Sequence, residues 1–364
     1  KNVENNIKVI IGPWGHQYPH MSVPGPQINF LEEVKNWWDQ WLKNKNQKTS
    51  NLPDYRFWLQ DTAKPKRYYK NRLGRWQIIK KYPGKRIEEK SFYLSNKFLL
   101  QERYEKVNLT FSSPASCGLS VGEFFPMSII SSHKENNNSP ELSGDQREDD
   151  TMSLCFDSNK LKSSFSIVGR VKLQLKLRVN KIKSQIIVRL CEINPDGSST
   201  KLSHGMLNLK FREGFEKPKK INKGEIININ LYLDEVACKI SKGNKIRVSI
   251  SNNYWPFVWP SPELSELNLL YGKVTFPKFK STSKDEYNFK ERENLEGWKF
   301  KQHRKSTYDR IVTKDLKSNL IKLKIVTDNG KTEDLNHGLI TDSKVEEIWS
   351  IHPKQPLAAK ATID

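Results

Sequence analysis

Val171-Lys172-Leu173-Gln174-Leu175-Lys176-Leu177-Arg178-Val179 decides the architecture, because every second residue is apolar and each residue between is polar or cationic. Successive side chains of a strand point to opposite faces, so this period of two predicts one face on a core and the other in water. The device recurs at Ile227, Ile229, Leu231 and Leu233, and again at Ile246, Val248 and Ile250. Asn194-Pro195-Asp196-Gly197 supplies turn chemistry between strands. Many short strands joined in this way imply a sandwich or jelly roll.

Alternation holds from about Arg72 onward, and the earlier residues read differently. Ile7-Lys8-Val9-Ile10-Ile11, closed by Gly12-Pro13, predicts a short strand buried on both faces of a parallel sheet. Phe30, Leu31, Val34, Trp37, Trp38, Trp41 and Leu42 then recur at helical spacing, with Asn29 as N-cap and Glu32 and Glu33 in the positive first turn. Tyr55 to Leu59 reads as one more strand. The change of period places a domain boundary at residue 72, giving units 1–72 and 73–364. His133 to Asp150 and Lys278 to Arg292 are polar or charged with few aliphatics, which predicts long surface loops or mobile segments.

A chain of 364 residues with 36% hydrophobic residues and ten tryptophans has ample material for packed cores. No apolar run reaches the roughly 20 residues that a membrane span needs, and Lys1 to Asn6 are polar, so no membrane partner is expected. Cys117, Cys155, Cys191 and Cys238 form no C-x-x-C pair, which argues against a zinc site or disulfide framework and fits reduced thiols in a cytoplasmic protein. The formal charge of +21 comes from scattered lysines, with one dense run at Lys217 to Lys223 beside Pro218. Charge of this kind speaks to solubility and non-specific association, so a solvated basic surface is expected rather than a nucleic-acid partner.

His16 lies in a tight loop after the first strand and before the helix. Functional groups collect beyond the carboxyl ends of parallel strands, and imidazole titrates near neutrality, so this position suits a general base. The other reading of a loop histidine is a structural hydrogen-bonding group. His20 stands four residues on, but Pro19 argues against a helical metal-ligand pair.

Gly12-Pro13-Trp14-Gly15-His16, continuing through Gln17-Tyr18-Pro19-His20 and Pro24-Gly25-Pro26 to the Trp37-Trp38-Asp39-Gln40-Trp41-Leu42-Lys43 helix, resembles the catalytic-histidine region of CocE/NonD family hydrolases. Gly144-Asp145-Gln146-Arg147-Glu148-Asp149-Asp150 resembles the family's Asp-Gln-Arg segment, and Tyr254-Trp255-Pro256, Trp259-Pro260-Ser261-Pro262 and Ser350-Ile351-His352-Pro353 follow in family order. The resemblance implies an α/β-hydrolase C-terminal remnant joined to a mainly-β jelly-roll sandwich, galactose-binding-like, as in X-Pro dipeptidyl-peptidase C-terminal domains. It implies His16 as the charge-relay histidine, His20 as a neighbour without an assigned role, and acyl transfer to water on a small-molecule ester or X-Pro peptide with no metal or organic cofactor. The family's serine and aspartate precede that histidine by far more than the fifteen residues present here, so a catalytic segment is expected to be missing.

Gly118-Leu119-Ser120-Val121-Gly122 fits G-x-S-x-G, yet its flanks lack the strand and helix of a nucleophile elbow, so Ser120 reads as a loop residue. Tyr254, Trp255 and Trp259 are candidates for an aromatic wall facing substrate, with core closure as the other reading. Asp145 and Arg147, beside Glu148 and Asp149, read as a surface ion cluster. The competing function is a non-catalytic β-sandwich module that binds carbohydrate or protein.

Overall fold

A computed structural model describes residues 7–43, 47–82, 84–123, 125–126, 142–293 and 299–364. The chain is mainly β, and its core lies between an 11-stranded and a four-stranded sheet. Lys172–Val179 pairs antiparallel with Ile226–Tyr232 on one side and with Leu267–Phe279 on the other. Its apolar residues Leu173, Leu175, Leu177 and Val179 are all buried, as the alternation requires. They meet Val188, Leu190, Ile246, Val248 and Ile250 from the four-stranded sheet. Asn194 to Gly197 makes the predicted turn, with Gly197 N donating to Asn194 O, and it joins Gln185–Ile193 to Ser199–Asn208.

Gln185–Ile193 is buried along its whole length, because both faces of the small sheet are covered. Ile186, Val188 and Leu190 face the sandwich core, while Ile187 packs with Val121 and Tyr254 on the far side. Above that layer lies a five-stranded sheet built on Ile321–Asp334 and Leu339–His352. Its Ile321, Leu323, Ile325 and Ile351 pack against Ala115, Leu119 and Trp255.

The first strand, Val9–Ile11, is half-buried rather than enclosed on both faces, because it covers only part of one edge of its neighbour. It runs parallel to Tyr55–Asp61, which also pairs in parallel with Val236–Ile240 and antiparallel with Gly74–Ile79. One hydrogen-bonded sheet therefore crosses residue 72, and the residues on either side of the expected boundary share a layer. Phe30–Lys43 is the only long helix among the described residues. Asn29 Oδ1 accepts from Glu32 N at 3.5 Å, in keeping with its N-cap position.

That helix turns an unexpected face to the protein. Its buried residues are Asp39 and Gln40, while Leu31, Trp38, Trp41 and Leu42 are exposed. Gln40 Oε1 accepts from Thr49 N at 2.9 Å, and Glu33 takes a two-pronged bond from the buried Arg56 at 3.0 and 2.9 Å. The guanidinium lies 5.0 Å from the centre of the Phe289 ring and is buried, so the cation rests against an aromatic rather than in water. Polar contacts fix the helix, and the indole stripe remains uncovered.

Of the expected loops, residues 133–141 lie outside the described residues, and Leu142 to Asp150 is anchored. The stretch from Lys278 to Arg292 has little regular structure past Phe279 but is tied down across Gly74–Ile79. Tyr287 N donates to Trp76 O at 3.2 Å, and the Phe289 ring meets the Trp76 ring at 4.5 Å. The cysteines are unpaired; Cys117, Cys191 and Cys238 are buried and Cys155 half-buried. Among the described residues no helix is long and apolar enough to cross a bilayer.

Candidate functional site

His16 stands on the loop that leaves Val9–Ile11, and its side chain is exposed. Its backbone is fixed: His16 N donates to Pro126 O at 2.9 Å and Gly15 N to Val23 O at 3.3 Å. Gly15 permits that approach, because a Cβ there would sit 2.5 Å from Pro126 O and 2.9 Å from Val23 O. The imidazole stacks on Phe125, centroids 4.8 Å apart and planes 28° apart. Among the described residues its ring nitrogens have no carboxylate partner. Trp14 props the loop from below by donating to Pro26 O at 2.8 Å.

His20 points elsewhere, into a cavity of about 190 Å³ lined by Asn29, Glu32, Lys35, Arg292 and Glu293. Its ring lies parallel to that of Phe30 at 6.2 Å. Burial and then the Arg292 charge lower its pKa, and its buried Nδ1 has no hydrogen-bond partner among the described residues. The two histidines therefore do not form one site.

Ser120 is 7% exposed and the described residues right after it, 121–123, are not helical, so its surroundings are not those of a nucleophile elbow. The preceding glycine has a packing role. Gly118 has φ +121°, and a Cβ would lie 2.6 Å from Trp255 O and 2.7 Å from Trp255 N. Gly118→Ala is expected to cost about 2–4 kcal/mol, since both the backbone conformation and the contact forbid the methyl group. Urea unfolding measures this, and a loss below about 0.5 kcal/mol would contradict the close approach.

Asp145 and Arg147 do form a surface pair, at 2.8 Å. Glu148 is exposed beside them, but Asp149 and Asp150 belong to the interior, which corrects the expectation of a surface cluster at those two positions. Asp149 is fully buried and accepts from Gly118 N at 2.9 Å and Ser120 N at 3.2 Å. Asp150 meets Arg189 at 3.0 Å and Arg247 at 3.0 Å, and takes the hydroxyls of Ser199 and Ser249 at 2.8 Å each. Arg189, itself fully buried, also donates to Gln146 Oε1 at 3.0 Å and Ser153 Oγ at 2.9 Å. This network joins the Gly144 to Asp150 segment to the small sheet and to the loop carrying Ser120. Burial raises the pKa of Asp149, and the Arg189 charge opposes the rise.

Tyr254 and Trp255 are fully buried, so they have no face to offer a substrate; core closure is their role. Trp255 packs with Ala115 and Leu119, and Tyr254 with Val121 and Ile187. Trp259 alone of the three is half exposed, its ring 6.5 Å from that of Trp349.

His204, on Ser199–Asn208, sits edge-on to Phe257 at 5.2 Å. Burial, helped by the Lys201 ammonium, pushes its pKa down to about 3. The unfolded chain takes up this proton near its ordinary value of about 6.5 and the folded chain does not, so stability is lost as pH falls below that value. Asp234 Oδ2 lies 3.5 Å from Nε2 but is mostly exposed. The expected loss between pH 6.5 and 4.5 is about 2 kcal/mol more in the wild type than in His204→Gln. Equal acid limbs in denaturation curves of the two proteins would contradict this.

Residues 46–307 match the family described as the X-Pro dipeptidyl-peptidase C-terminal non-catalytic domain. Over 103 residues the chain is 23% identical to the cocaine esterase of Rhodococcus sp. (strain MB1 Bresler), covering 28% of this chain and 18% of the esterase. The crystal structure of an aminopeptidase from the marine sediment archaeon Thaumarchaeota archaeon is similar with a TM-score of 0.57, 13% identity, and coverage of 75% of this chain and 49% of that one. An alpha-amino acid ester hydrolase is similar with a TM-score of 0.54, 15% identity, and coverage of 74% and 50%. At such identities the likeness is one of fold. The chain spans about half the length of these two structures and less of the esterase.

Proposed function

Because this chain belongs to the X-Pro dipeptidyl-peptidase C-terminal non-catalytic domain family, we propose that it is the C-terminal part of a serine hydrolase that cleaves an ester or X-Pro peptide bond through an acyl-enzyme. In this reading residues before about 72 are the end of an α/β-hydrolase domain, and the later residues are a jelly-roll sandwich. The nucleophilic serine and its aspartate belong to a catalytic segment outside these residues. His16 is the general base: it takes the serine proton as the alkoxide attacks the carbonyl, then returns it to the leaving alcohol or amine.

The observation that carries the reading is the setting of His16. Its backbone is held on both sides by carbonyls, its ring rests on one aromatic, and the residue is exposed in the loop beyond the end of a parallel strand. An imidazole so placed can serve groups that approach from outside the chain. The uncovered stripe of Leu31, Trp38, Trp41 and Leu42 supports a further apolar layer over the helix.

A serine-directed fluorophosphonate tests the assignment. The chain itself is expected to stay unlabelled, and the protein extended through its catalytic segment to label at one serine and turn over ester or prolyl-peptide substrates. An adduct on Ser120 would move the nucleophile into this chain, and an extended protein that neither labels nor turns over would remove the hydrolase reading.

A further inference from the structure

The polar face of Lys172–Val179 carries more than a solvated surface requires. In the strand register Ile226 stands opposite Arg178 and Arg178 opposite Asn268; one row on, Asn228 stands opposite Lys176 and Lys176 opposite Tyr271. The segment bearing Tyr104 and Lys106 closes the side of a groove of about 550 Å³ over these rows. Tyr271 packs against Tyr104 at 5.8 Å and Tyr93 at 6.2 Å, and Tyr93 against Tyr104 at 5.7 Å. The three rings form a rigid wall, with Tyr104 still 57% exposed.

No aspartate or glutamate lines the groove, although the chain carries 41 acidic residues. Lys106, Lys176 and Arg178 have no ion-pair partner among the described residues. Three cations gathered without an acid repel one another and hold a standing positive potential, which an anionic ligand relieves. The tyrosine wall adds flat apolar surface, and Asn228 adds an amide that both donates and accepts. A ligand that uses all three features has a carboxylate or sulfate, a ring with an apolar C–H face, and hydroxyls at its rim.

We propose that this groove binds an acidic carbohydrate, an oligosaccharide bearing uronate or sulfate groups. Such a ligand lays a pyranose face on Tyr104 and Tyr271 and directs its charge to Lys176 and Arg178. Single-stranded nucleic acid shares stacking and charge, but its backbone needs cations along a track of several nucleotides. Here the cations and the rings are confined to one short groove beside its closing segment.

The test is an array of acidic oligosaccharides, uronate trimers and sulfated disaccharide repeats, probed with the chain beside their neutral counterparts and an oligothymidylate. At least one acidic glycan is expected to bind, more weakly as salt rises. Its affinity should fall about tenfold or more in the Lys176→Gln/Arg178→Gln double variant and in Tyr271→Ala, and survive in Tyr271→Phe. Thermal melts confirm that the variants remain folded. Failure of every acidic glycan to exceed its neutral counterpart, equal binding by the wild type and the double variant, or tighter binding of oligothymidylate than of any glycan would overturn the proposal.

Discussion

In the extended hydrolase, His16→Ala is expected to lower kcat by a factor on the order of 10⁴ while leaving KM and the melting temperature nearly unchanged. The argument rests on what the ring touches. His16 is exposed, its ring contact among the described residues is Phe125, and the loop is held by backbone bonds that alanine keeps. Packing therefore loses almost nothing, whereas proton transfer loses its carrier in both half-reactions. Activity retained within about tenfold would exclude His16 as the base, and a fall in KM-dependent binding alone would make it a positioning residue.

Arg189→Leu is expected to destabilise the chain by about 3–5 kcal/mol, the range for removing one partner of a buried ion pair. The cost lies in what remains. Asp150 keeps Arg247 at 3.0 Å, but Asp149 loses the charge that opposes its desolvation, and Gln146 Oε1 and Ser153 Oγ lose a donor. With its pKa raised further in the fold than in the unfolded chain, Asp149 binds a proton more readily when folded. Lowering pH from 7 toward 5 should therefore restore part of the variant's stability relative to the wild type. Denaturant titrations at the two pH values measure both effects, and a loss under about 1 kcal/mol would show that the network contributes little.

The strands that alternate were legible because one face meets the core and the other meets water, as at Lys172–Val179 and Ile226–Tyr232. Gln185–Ile193 was not, since it is covered on both sides and encloses Arg189 and Glu192, whose charges argue for a surface when read locally. The same blindness misplaced Asp149 and Asp150. Their neighbour in sequence is a real surface pair, while their partners arrive from strands far along the chain, Arg247 being 97 residues from Asp150. The helix at Phe30–Lys43 was legible as a helix, but periodicity marks an apolar stripe without saying what covers it. Ile321–Asp334 and Leu339–His352 escaped notice because their charged outer positions dilute the pattern, although Ile321, Leu323, Ile325 and Ile351 hold the sheet on the layer below. The His16 loop was singled out by its motif; the carbonyl of Pro126 that pins it, 110 positions later, has no local signature.

The pairing of Val9–Ile11 and Val236–Ile240 along one edge of Tyr55–Asp61 leaves no hinge between the histidine loop and the sandwich. In the proposed hydrolase, the sandwich would thus act as the jig in which the His16 loop is clamped. Trimming such an enzyme to its catalytic half, or grafting on a relative's sandwich, would reposition the imidazole by whatever the new sheet's twist dictates, and turnover would follow that angle.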